Sequence, residues 1–106
     1  MELLHIDDED FKEKVLDKKG LVVVDFFATW CGPCRMLGPV LEEVQEEMKD
    51  KLTILKLDVD EGENTAKRYG IMSVPSMLIF KDGEEVDRLV GFKQKDALVE
   101  YFSKLL

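Results

Sequence analysis

The chain has 106 residues, 45% apolar and 36% charged, a composition that fits one soluble globular domain with a single core and not a disordered protein. A formal net charge of −8, from 23 acidic and 15 basic residues, argues against nucleic acid or an anionic membrane as the main partner, since both demand clustered positive charge. No apolar run approaches the roughly 20 residues that cross a bilayer, and the start, Met1-Glu2-Leu3-Leu4-His5-Ile6, lacks the pattern of a signal peptide, so the expected setting is the cytoplasm unless the chain is a processed secreted form.

No repeat, low-complexity tract or linker interrupts residues 1–106, so a single domain is expected. Leu3 to Ile6 reads as a short first strand. Asp7 or Asp8 then caps a helix that carries Phe11 and Val15 four apart and ends near Gly20. Leu21 to Ala28 is almost continuously apolar, as in a central strand covered on both faces. From Pro33, the residues Leu37, Val40, Leu41, Val44 and Met48 recur with helical spacing on one face, and Pro39 is expected to interrupt and kink that helix.

A strand follows at Leu52 to Val59. Asp60 and Glu63 have capping-box spacing ahead of a short helix that ends at Gly70. After Val74-Pro75, Ser76 to Phe80 reads as a strand, and Asp82-Gly83 is a hairpin turn into Glu85 to Val90. The last helix sets Leu98, Tyr101, Phe102 and Leu105 on one face. The order β-α-β-α-β-α-β-β-α predicts an α/β fold. Its mixed five-stranded sheet is parallel in the first part, has an antiparallel hairpin at one edge, and carries helices on both faces.

The only two cysteines stand in Trp30-Cys31-Gly32-Pro33-Cys34, between a buried strand and a helix. Two thiols at that spacing can close a disulfide and so store two electrons. Cys31 falls at the start of the helix, where unpaired N–H groups and the helix dipole stabilise a thiolate below the ~8.5 pKa of a free thiol. Cys34, one turn on and closer to the core, is expected to stay protonated until needed. Cys31 is therefore read as the nucleophile on a client disulfide and Cys34 as the resolving thiol. Gly32 and Pro33 carry no charge that further stabilises the thiolate, which tunes the pair toward a reductant.

Other readings of the pair are weaker. A structural disulfide across so small a loop constrains little. A zinc site needs four ligands, and His5 with two cysteines does not supply them, so no metal is expected. Inert buried thiols fit poorly with a strand–helix junction.

The chain resembles the thioredoxin family along essentially its whole length. The resemblance is carried by Val24-Asp25-Phe26, Ala28, Trp30-Cys31-Gly32-Pro33-Cys34, Pro39, Lys56, Val74-Pro75, Gly83 and Gly91. It implies the thioredoxin fold and a cytosolic protein-disulfide reductase. It implies partners too: diverse disulfide-containing proteins, and a thioredoxin reductase that brings NADPH and FAD only indirectly, with no cofactor bound to this chain. A monomer is expected. The resemblance also implies a cis Pro75 and a substrate groove lined by Trp30, Gly32, Pro33, Val74, Pro75 and Gly91. Two positions depart from the common pattern, Phe27 where the family often has Trp and Arg35 where it has Lys.

Asp25 has two readings. Burying a carboxylate in an apolar strand is costly unless it is paired or protonated. It is either a structural acid satisfied by Lys56, or a carboxyl of raised pKa that accepts the Cys34 proton during resolution, as the resemblance favours. Pro75 is read from its residues alone as an ordinary strand start, and only the resemblance makes it cis. Trp30 beside the thiols is expected to be an exposed contact surface. His5 is assigned no role, and the five methionines are read as core filling.

Three functions are thus open: a dithiol–disulfide redox carrier, an oxidase or isomerase of the same fold, and a binding module that uses the groove without turnover.

Overall fold

The computed structural model describes residues 2–106, and their five strands form one sheet. The strands are β1 (Leu4–Ile6), β2 (Leu21–Phe27), β3 (Leu52–Asp58), β4 (Ser76–Lys81) and β5 (Glu84–Val90), in the spatial order β1-β3-β2-β4-β5. The β1–β3 and β3–β2 pairs are parallel, while β2–β4 and β4–β5 are antiparallel, which is the mixed sheet expected from the element order. β2 lies at the centre and all its residues are buried, which explains its unbroken apolar run.

Alternation along β2 divides the core. Leu21 and Val23 face a cluster with Leu37, Leu41 and Val44 of α1 (Gly32–Glu47) and Leu98 and Phe102 of α3 (Lys95–Leu105). Val22, Val24 and Phe26 face the other layer, built on Phe11, Val15 and Ala66. Asp25 and Phe27 therefore point to the α1 side of the sheet, the side that carries Cys34.

Several local expectations need correction. The first helix is a single π-helical turn, Lys12–Leu16, and does not reach Gly20, although Phe11 and Val15 are both buried. Asp7 accepts from the backbone N–H groups of Glu9 and Asp10 ahead of it. Asp8 serves a different helix: its carboxylate takes the N–H groups of Asn64 and Thr65 and the Thr65 hydroxyl at the start of α2 (Glu63–Arg68). The hydrogen bond from the Thr65 hydroxyl holds the Asp8 carboxyl below its usual value.

The Asp60–Glu63 capping box does not form. Gly62 occupies the position before α2 and has no side chain to cap with, and Asp60 is used elsewhere. The end of α2 follows expectation: Gly70, at φ +63°, donates to the Lys67 carbonyl and Ile71 to the Ala66 carbonyl, a Schellman closure. Pro39 does not end its helix: α1 runs through it, and Pro39 lies on the exposed face. At the hairpin, Asp82 and Gly83 both take positive φ, 51° and 85°, the conformation a two-residue turn requires.

The methionines are only partly core. Met48 and Met77 are buried, Met36 and Met72 are exposed, and Met1 lies outside the described residues.

Candidate active site

The site gathers at the carboxyl end of β2. Chain leaving β2 turns through Ala28 to Trp30, and the helix α1 begins at Gly32 with Cys31 as its N-cap. The Cys31 sulfur accepts from the Cys34 backbone N–H at 3.2 Å, so the helix start is closed by a thiol-derived group instead of a hydroxyl or carboxylate. Pro33 sits in the first turn, where its missing N–H leaves no bond unmade. Cys31 and Cys34 are joined as a disulfide, with Cα atoms 5.3 Å apart. Both are buried in a small cluster with Phe27 and Ala28, flanked by Val59 and Val74, while Gly32 and Pro33 between them are exposed.

The loop before β4 closes one side. The Val74–Pro75 peptide is cis, and the Val74 carbonyl oxygen lies 3.7 Å from the Cys31 sulfur. Pro75 is buried, and its carbonyl accepts from the Gly91 N–H at 2.9 Å. Gly91, at φ +90°, follows the last residue of β5, where an L side chain would be strained. Val74, Pro75 and Gly91 therefore form one connected wall, with Val74 against the sulfur.

Trp30 is 67% exposed and its indole N–H donates to Asp60 at 3.1 Å, which anchors the ring over the turn after β3. Trp30, Val59, Ile71, Met72, Ser73 and Val74 line a cavity of about 190 Å³ beside the disulfide. Sequence reasoning missed Val59, Asp60, Ile71 and Met72. For Ile71 and Met72, adjacency to Val74-Pro75 was a signal; for Asp60, 30 residues from Trp30, there was none.

Asp25 is fully buried, and neither carboxylate oxygen has a hydrogen-bond partner. Burial pushes its carboxyl up to about 7, against the opposing pull of the Lys56 charge. Lys56 is the register partner of Asp25 on β3, so both side chains stand on the same face. It does not close an ion pair with Asp25. Its ammonium lies over the Phe27 ring, 4.3 Å from the centroid, which removes the reading of Asp25 as a salt-bridged structural acid. His5 packs edge-on against Phe27, with ring centroids 5.5 Å apart.

This arrangement can carry one chemistry well. It holds two sulfurs joined by a bond that can open and close, one at a helix start and both beside an apolar groove, with an unpartnered carboxyl on the α1 side of β2.

Known proteins agree with that geometry. The family model for thioredoxin matches residues 2–104. The thioredoxin of Bacillus subtilis (strain 168) is 50% identical over 106 residues, covering 100% of both chains. Those of Staphylococcus aureus strains Mu50 and N315 are each 49% identical over the same full length. The chain belongs to the thioredoxin family of protein-disulfide oxidoreductases.

Proposed function

We propose that the protein is a general reductase of protein disulfides in the cytoplasm, reloaded by a thioredoxin reductase that draws on NADPH. In its reduced form the Cys31 thiolate attacks one sulfur of a client disulfide, a mixed disulfide forms, and the first client sulfur leaves as a thiolate that takes up a proton. Cys34 then gives its proton to Asp25 and attacks the Cys31 sulfur. The second client sulfur leaves as a thiolate and takes up a proton, two electrons have passed to the client, and the Cys31–Cys34 disulfide is formed.

The observation that carries this reading is the Cys31–Cys34 disulfide at the N-terminus of α1, with a backbone N–H directed at the Cys31 sulfur. That N–H and the helix dipole favour negative charge on Cys31 when the bond opens, which selects it as attacker and leaving group. Trp30, Gly32, Pro33, Val74, Pro75 and Gly91 form the surface on which a client strand lies. A client pairing with backbone at Val74 is recognised by its main chain, so many sequences are accepted. Uncharged Gly32 and Pro33 keep the pair a reductant, which disfavours the oxidase reading.

Reduction of insulin with NADPH and a bacterial thioredoxin reductase tests the proposal. Steady NADPH consumption is expected with the native chain and none with Cys31→Ser. Client binding without turnover would establish a binding module instead.

A further inference from the structure

Two methionines stand in solvent, Met36 at 62% and Met72 at 95% exposure. Met72 is the most exposed large apolar side chain among the described residues, and it lies on the lip of the cavity formed with Trp30, Val59 and Val74 beside the disulfide. So open a side chain contributes little to the core, and its thioether sulfur is free to meet small oxidants. Met48 and Met77, at 3% and 0%, are shielded.

We propose that Met72 is a modification site, oxidised by hydroperoxides to the sulfoxide, and that the sulfoxide weakens docking of protein clients. The second half rests on reading the groove as the client surface. A sulfur lone pair of Met72 attacks the terminal peroxide oxygen, the S–O bond forms and the O–O bond breaks. The departing oxygen takes the remaining hydroxyl proton and leaves as water or an alcohol. Methionine loses two electrons and the peroxide gains them. The product is polar where the thioether was apolar and adaptable, so it holds water at a lip that client side chains must cover. Met36 is open to the same oxidant but does not line this cavity, which makes it the control.

The protein is treated with hydrogen peroxide in its disulfide form, in which the cysteine sulfurs are already paired. After catalase, peptide masses locate the added oxygen. The protein is then reduced, desalted and mixed with insulin or with oxidised glutathione, which is too small to span the groove. An oxygen on Met72, with a fall of about three- to tenfold in the insulin rate constant and an unchanged glutathione rate, is expected. Met36→Leu should lose insulin activity on treatment as the native chain does, and Met72→Leu should show no change between treated and untreated samples. Untreated Met72→Gln, polar at the same place, should be as slow on insulin as the sulfoxide. The proposal is overturned if Met72 stays unoxidised, if the insulin rate survives its oxidation, or if Met72→Leu loses as much as the native chain. Should the untreated protein fail to reduce insulin, the proposed function falls first and this inference with it.

Discussion

Asp25 is the residue whose position most needs a reason. A carboxylate with no partner for either oxygen, in the central strand, is a standing penalty unless its proton is used. Its folded-state pKa of about 7 lies well above that of an unfolded chain, so the native state holds a proton that the unfolded chain has already released. The contribution of Asp25 to stability is therefore fully present below about pH 4, is lost as pH rises from there through about 7, and amounts to a total on the order of 4 kcal/mol. Asp25→Asn should flatten that profile in denaturation experiments on the disulfide form, and parallel profiles for variant and native chain would contradict the burial argument. On the proposal that Asp25 accepts the Cys34 proton, the same substitution should slow clearance of mixed disulfides by about tenfold or more at neutral pH, measured by quenching a reaction with a client protein.

The elements show how far a sequence carries the fold. β2 and α1 were legible because their patterns are long: an unbroken apolar run and a five-position helical face report burial directly. Asp8 and Asp60 were not. Both have cap-like local spacing, yet Asp8 caps α2 across 57 residues and Asp60 holds Trp30 across 30, and nothing within a local window distinguishes such partners. Met72 lies between elements, where no periodicity says which way a side chain faces. Gln45 is a related case. Buried on α1, it donates to the Leu52 carbonyl at 2.9 Å and accepts from the Ile54 N–H at 2.6 Å, doing for the start of β3 what a neighbouring strand would. Gln45→Ala leaves both backbone groups buried without a partner, and urea denaturation should show a loss of about 2–4 kcal/mol. Insulin turnover per folded molecule should be unaltered, because Gln45 touches neither sulfur nor groove.

Across the whole molecule, the sheet brings together pieces that the chain keeps far apart. The carboxyl end of β2 delivers Ala28, Trp30 and Cys31, the start of α1 delivers Cys34, and the turn after β3 anchors the indole. The antiparallel pairing of β4 beside β2 sets Val74 and Pro75 against the same point. Sites in open α/β sheets form at the carboxyl ends of parallel strands, and here the reversal of direction at β4 adds a wall, the one on which we propose a client strand docks. The motif alone identifies disulfide chemistry; we propose unequal roles for two identical side chains, resting on the Cys34 N–H that is directed at the Cys31 sulfur. That inequality is tested most directly by trapping. Cys34→Ser and Cys31→Ser are each reduced, mixed with insulin and analysed by intact mass. A covalent adduct that dithiothreitol releases is predicted for Cys34→Ser and not for Cys31→Ser. Equal adducts on both variants, or an adduct on Cys31→Ser alone, would contradict Cys31 as the attacking thiol.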